Sequence, residues 1–283
     1  MGIRKAMFAG SWYPATAAAC EAEIKDFLEA PGIDQNAREP VRGGIVPHAG
    51  WYFSGAIACN VIHQLSAGTP PDVLFIFGMH LHPRSPAYIT CEGEWETPFG
   101  NLSIETDCAK ALAGLFEFEI ETASRFTQDN TIELQLPFVK YFFPEAGIVP
   151  IGAPPRTESL DIGKRAIELA ERQGLRAKII GSTDLTHYGS NYGFMPKGSG
   201  PAAVQWVKEN NDRRIIDAML ALDPQQVLDE ALKNQNACCA GAAATAIAAG
   251  KAMGATQADC LSYAASYDKS PGDSLVGYVG IIF

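Results

Sequence analysis

The chain has 283 residues, 47% hydrophobic and 19% charged, a balance that supports a globular protein with one large core. Its 22 basic and 32 acidic residues leave a net charge of −10, and no Lys/Arg run exceeds a pair, which argues against a nucleic-acid partner. No stretch of about 18 apolar residues is present, so no membrane-spanning helix is expected.

The opening MGIRKAMFAGSWYP lacks the apolar core of a signal peptide, and Gly2 is not followed by a convincing myristoylation pattern. The seven cysteines are odd in number, irregular in spacing and without a CxxC, so a reducing cytoplasm is expected rather than a disulfide framework.

Strand-like and helix-like segments alternate along the chain. GGIVP (43–47) is a compact apolar run. A helix follows through about residue 64, with Ser54 as its expected cap. VLFIFGM (73–79) is apolar on both faces, as a central strand is. AYITCE (87–92) and NLSIE (101–105) flank the turn TPFG as further strands, and residues 107–116 form a helix capped by Asp107. TIELQLPFVKYFF (131–143) has a helical pattern with a kink expected at Pro137.

GIVPIGA (147–153) is a strand, 159–173 an amphipathic helix and AKIIGSTD (177–184) another strand. Helices fill 204–220 and 223–232, and GFMPKGSGPA (193–202) is the best prospect for a mobile lid. CAGAAATAIAAGKAM (239–253) is a helix of small residues, able to approach a neighbour closely. LSYAASY (261–267) and VGYVGIIF (276–283) close the chain as strands. This order predicts an α/β fold over residues 1–283 as a single domain, with a mixed or mostly parallel sheet flanked by helices.

Three strand ends carry titratable side chains. His48 follows the first strand, His80 and His82 follow 73–79, and Asp184 and His187 follow 177–183. In an open α/β sheet the carboxyl ends of parallel strands share one edge, where ligands bind. Any one of these histidines alone reads as a hydrogen-bonded structural residue, and Asp184 alone as a turn cap. Their coincidence at strand ends argues for a shared site. His63, the fifth histidine, lies mid-helix and reads as structural or solvent-facing.

Converging imidazoles suit a transition metal. Asp184 or Cys239 could supply a further ligand, the latter because a helix N-terminus favours thiolate. Buried filler beside alanines is the competing reading for Cys238 and Cys239.

The same residues carry a resemblance to the Memo family, whose bacterial members are called AmmeMemoRadiSam system protein B. FAGSWYP (8–14), VPHAGW (46–51), the histidine cluster at 80–82, the TPFG turn, TIELQLPF (131–138), STDLTHYG (182–189) and the late Cys239 fall in the family's order. The resemblance implies a fold like that of the class III extradiol ring-cleaving dioxygenases, with two histidines and a cysteine on a metal. Carried over, the ligands are His48, His80 with His82 in reserve, and Cys239. His187 is then an acid, base or substrate contact, and Asp184 orients an imidazole.

Gly78-Met79-His80-Leu81-His82-Pro83 departs from the family's Gly-x-x-His-His, and Asn130 stands where a histidine is usual, although Glu133 is kept. Ala240-Gly241-Ala242 replaces the usual Gly-x-x-Pro after the cysteine.

Three functions compete on this reading. The first is a non-haem metal-dependent oxidoreductase, with Fe(II) ahead of Cu or Zn and an unknown small-molecule substrate. The second is a thiol or zinc-assisted hydrolase using Cys239 and His187. The third is a ligand- or peptide-binding module on the same pocket. The resemblance also implies a functional link to radical SAM and AMMECR-type proteins.

Overall fold

A computed structural model describes residues 2–29 and 41–283; Met1 of the opening segment and residues 30–40 lie outside it. In chain order the strands are β1 (Ile3–Arg4), β2 (Gly43–Val46), β3 (Val73–Gly78), β4 (Ala87–Thr90), β5 (Glu94–Trp95), β6 (Leu102–Ser103), β7 (Phe118–Glu121), β8 (Gly147–Gly152), β9 (Ala177–Ser182), β10 (His187–Gly189), β11 (Asp259–Ala265) and β12 (Ser274–Ile282). The helices are α1 (Ala17–Glu29), α2 (Trp51–Leu65), α3 (Thr106–Ala113), α4 (Asn130–Glu133), α5 (Leu136–Phe142), α6 (Glu158–Arg172), α7 (Pro201–Trp206), α8 (Asp212–Leu220), α9 (Pro224–Asn234) and α10 (Ala240–Ala252).

Nine strands form the main sheet in the order β10-β12-β2-β9-β3-β8-β4-β7, with β11 added on β12. The centre, β2-β9-β3-β8, is parallel, and both margins introduce antiparallel pairs. The mixed sheet between helices agrees with the expected α/β class. A small second sheet, β1-β5-β6, ties the N-terminus to the segment around the TPFG turn.

The two helical layers follow from residue size. Gly44 faces Val61 of α2, while Gly181 faces Ala246 of α10. Gly44 pairs with Ile180 and Ile45 with Gly181, so the two glycines open opposite faces of the sheet. A side chain at Gly181 would press its Cβ to 2.6 Å from Ala246. That missing side chain lets α10 lie close on the sheet, as its composition predicts. All of α10 from Ala240 to Gly250 is buried.

Several boundaries differ from expectation for identifiable reasons. α2 starts at Trp51 rather than at Ser54, because the Trp51 N–H is satisfied by the Trp12 carbonyl at 2.8 Å without a side-chain cap. Ser54 is buried inside the helix and donates to the Ala49 carbonyl. Asp107 lies within the first turn of α3 rather than at its cap.

Pro137 does not kink one helix; it sits in the first turn of α5, where its missing N–H costs nothing, and α4 is a separate turn. The 204–220 segment is α7, a π-helical stretch at Val207–Asn211 and then α8. The 193–202 loop is tied down, since Tyr188 donates to the Gly198 carbonyl and accepts from the Lys197 N–H. His63 is half-buried with its ring 5.3 Å from that of Phe142, and burial lowers its pKa. All seven cysteines are free, and no helix among the described residues is long and apolar enough to cross a membrane.

Candidate metal centre

β2, β9 and β3 are consecutive in the sheet and parallel, so the residues after them emerge side by side. His48 leaves β2, Asp184 and His187 leave β9, and His80 leaves β3. The loop before α10 then brings Cys238 and Cys239 over this edge. His48, His80, Cys238 and Cys239 each present one ligand atom, and these four atoms lie within 4.8 Å of one another.

His48 is held on every side. It is 2% exposed, its N–H donates to Asp184 Oδ1 at 2.7 Å, and its carbonyl accepts from Asn130 Nδ2 at 2.8 Å. Its Nδ1 lies 3.0 Å from Ser182 Oγ, whose own proton goes to the Thr131 carbonyl at 2.8 Å. The hydroxyl therefore accepts and Nδ1 carries a proton, so in the neutral ring the lone pair lies on Nε2. That Nε2 is 3.2 Å from Cys238 Sγ. Burial works to lower the His48 pKa, but Asp184 and Cys238 outweigh it and raise the group.

His80 is held from one direction. Met79 just before it has φ +74°, a left-handed conformation that an unbranched side chain adopts only at some cost. The Met79 N–H is fixed at 2.7 Å on Thr131 Oγ1, and the twist swings His80 off the strand axis. Asp129 Oδ2 then accepts both the His80 N–H at 3.1 Å and its Nδ1–H at 3.0 Å. Asp129 caps α4 with its other oxygen, so the carboxylate is itself anchored.

Desolvation opposes charge on His80, yet the Asp129 bond and Cys238 raise it to about 10, while the same pairing brings Asp129 down to about 2. This carboxylate–imidazole arrangement leaves Nε2 as the ligand atom, as in many metal sites. His80 also meets His48 edge-on, ring centres 4.9 Å apart.

The sulfurs complete the group. Cys238 Sγ receives the Asp184 N–H at 3.3 Å, and Cys239 Sγ lies 3.7 Å from it. The Cys239 N–H is anchored on Thr183 Oγ1 at 3.0 Å. Burial resists ionisation of Cys238, but the Cys239 thiol and the two imidazoles hold its pKa well below the ordinary thiol range. Cys239 moves the opposite way, because burial and the neighbouring sulfur both disfavour its charge.

The structure thus brings together His48, His80 and Cys239 as expected and adds Cys238, for which buried filler was the competing reading. Cys238 is only half-buried and is the sulfur that touches His48. His82 stays outside the group; its Nδ1 accepts the Arg84 N–H within its own turn. Asp184 is buried, its carboxyl raised mainly by desolvation against the pull of His48. It braces His48 through the backbone, with Oδ2 4.0 Å from His48 Nε2.

His187 also stands outside the group. Its Nδ1 donates to the Leu185 carbonyl at 3.1 Å, leaving Nε2 unprotonated in the neutral ring. Its ring meets Tyr192 edge-on at 4.8 Å. Among the described residues no hydrogen bond joins His187 to Cys239. Glu133 is a brace rather than a ligand. It accepts the Phe8 N–H at 2.7 Å and the Tyr13 hydroxyl at 3.1 Å, locking FAGSWYP beside the site, and burial raises its pKa.

His48, His80, Asp184 and His187 open into a cleft of about 590 Å³ with aromatic walls that include Trp12 and Tyr192. Two imidazoles lining this cleft and two thiols whose sulfurs lie within 4.8 Å of the ring nitrogens match the donor set of a transition metal.

Comparison with known proteins gives the same picture along the whole length. Residues 4–282 match the family model described as Memo-like protein. A MEMO1 family protein of Pyrococcus furiosus is 32% identical over 289 residues, covering 99% of this chain and 98% of that protein. A MEMO1 family protein of Methanothermobacter thermautotrophicus is 32% identical over 294 residues, covering 98% of each. The solved structure of an uncharacterized protein from Escherichia coli K12 shares the fold with a TM-score of 0.55 at 10% identity, over 86% of this chain and 99% of that one.

Proposed function

The chain belongs to the Memo family, and from that premise we propose that its strand-end cleft is a transition-metal centre with oxidoreductase chemistry of the dioxygenase-like type. One observation carries the reading. Both imidazoles have Nδ1 engaged, by Ser182 and by Asp129, and both Nε2 atoms share one 4.8 Å group with two thiols. His48, His80 and Cys238 would hold the metal, with Cys239 as a fourth donor. The resemblance to extradiol enzymes favours Fe(II); a second sulfur adds softness that suits Cu or Zn. When bound, the metal supplies Lewis acidity and, as iron or copper, one-electron redox chemistry at the cleft floor.

The chain's own residues do the rest. Trp12, Tyr52 and Tyr192 offer flat apolar walls for a small-molecule substrate. His187 Nε2, the ring nitrogen left free by the bond from Nδ1 to Leu185, can accept a substrate proton. Asp184 and Asn130 fix the backbone on either side of the His48 ring.

Metal analysis of anaerobically purified, untagged protein tests this. Near-stoichiometric iron or copper, lost in His48→Ala and Cys238→Ser, is expected. No metal, even after reconstitution, would sink the reading. A thiol hydrolase would then move forward on one specific observation, the 3.2 Å approach of Cys238 Sγ to His48 Nε2. That pair replaces the Cys239–His187 pair expected from sequence. Alkylation of Cys238 by iodoacetamide at neutral pH, slowed in His48→Ala, would be its signature.

A further inference from the structure

Cys238 and Cys239 are adjacent in sequence, and their sulfurs lie 3.7 Å apart and face the same small volume. We propose that they form a reversible, peroxide-sensitive vicinal disulfide whose closure removes both sulfurs from the ligand group. The covalent step stands on the geometry of the pair alone; the loss of metal rests on the metal-centre reading above.

The two cysteines are unequal in a way that orders the chemistry. Cys238 is half-buried, and its sulfur receives the Asp184 N–H at 3.3 Å and lies 3.2 Å from His48 Nε2 and 3.7 Å from the Cys239 sulfur. Cys239 is 3% exposed. Cys238 is thus the more accessible of the two, and a peroxide meets it first. The Cys238 sulfur attacks one peroxide oxygen, the O–O bond breaks, and a sulfenic acid forms with release of water from hydrogen peroxide. The Cys239 sulfur then attacks the Cys238 sulfur, the S–O bond breaks, and the departing hydroxide takes the Cys239 proton as a second water. Two electrons pass from the sulfur pair to the peroxide.

Backbone geometry makes the product labile. Adjacent Cα atoms are about 3.8 Å apart across a trans peptide, whereas disulfides ordinarily span about 4.4–6.8 Å. A bond across so short a span is strained and easily reduced. Cys239 is also the N-cap of α10 at φ −126°, outside the regular helix, so local backbone adjustment there need not unwind it. The bond would leave His48 and His80 as the remaining members of the group, too few donors to retain a metal against a chelator.

The test uses the full-length protein, metal-loaded and metal-free, treated with one equivalent of hydrogen peroxide, then quenched and digested with trypsin without reductant. Cleavage after Lys233 and Lys251 isolates both cysteines on one peptide, separate from the exposed Cys260. The expected peptide is about 2 Da lighter and regains its mass with dithiothreitol. Metal-loaded protein should pass its metal to a chromogenic chelator in step with that loss of mass.

In Cys239→Ser, Cys238 should stop at the sulfenic acid, trapped as a dimedone adduct, and in Cys238→Ser the peptide should resist peroxide. An unchanged wild-type peptide, irreversible oxygen addition to it, or metal retained by the disulfide form would overturn the proposal. If no preparation holds metal, the metal-centre reading fails, while the mass shift still decides whether the disulfide forms.

Discussion

The two imidazoles of the centre are held in opposite ways. His48 is locked into the interior by bonds from β9, α4 and the 183–187 loop, whereas His80, with a side chain 44% exposed, hangs on a twisted residue and a single carboxylate. Their supporting carboxylates differ as well. Asp129 pairs with His80 and is lowered to about 2. Asp212 supports the His48 side by accepting the Thr186 N–H at 3.0 Å, the Thr186 hydroxyl, and the Tyr263 hydroxyl at 2.7 Å. Burial raises Asp212 to about 6, and the hydrogen bonds only partly offset it. One side of the site is built by enclosure and the other by charge.

Removing the enclosed ring should have the largest effect. His48→Ala leaves Ser182 without its ring partner and opens a cavity in a buried space. It should cost about 2–4 kcal/mol in urea denaturation and bring metal content to background. Equal metal content in the variant and the wild type would break the comparison.

The Asp212 support should appear as a pH effect. Its folded pKa lies above the ordinary carboxylate value, so folded protein holds the proton longer than unfolded protein. Stability should be greatest below about pH 4 for this group alone and should fall as pH rises through about 6. A rise from the ordinary carboxylate value to about 6 corresponds to about 3 kcal/mol. Asp212→Asn should flatten that slope in denaturation series between pH 4 and 8; an unchanged slope would assign it elsewhere.

Smaller still is the charge-held side. Asp129→Asn keeps an N-cap for α4, since Asn caps as well as Asp, but removes the acceptor that orients His80. Metal affinity should drop about 10–100-fold with little change in stability, measured by competition with a chelator. An affinity within about twofold of wild type would show that the ring needs no orientation. His82→Ala should do least, with metal content and affinity unchanged, because the ring belongs to its own turn.

Much of this was readable from the residues. Apolar runs ending in His48, Met79-His80 and Asp184 announced three strand ends on one edge, because strand period and burial are local properties. The preference for His80 over His82 came from the resemblance alone; its physical cause, the left-handed turn at Met79, was not readable. Asp129 escaped notice because its partner lies 49 residues away and only the tertiary fold joins them. Cys238 was legible as a residue but not as a donor. In a strand, neighbouring side chains diverge to opposite faces, and it is the turn into α10 that aims both sulfurs at one point. The start of α2 was misplaced for a related reason: its first N–H is satisfied by Trp12, which no nearby sequence signal reveals.

The twist at Met79 has one more consequence. Glycine would adopt φ +74° without steric cost. Met79→Gly would relieve about 1 kcal/mol of strain, but the side chain is 5% exposed, and the cavity left by its loss would cost about 2–5 kcal/mol. The buried methionine therefore holds the chain in a turn that its own backbone disfavours, and packing in the core is what keeps the His80 ring aimed.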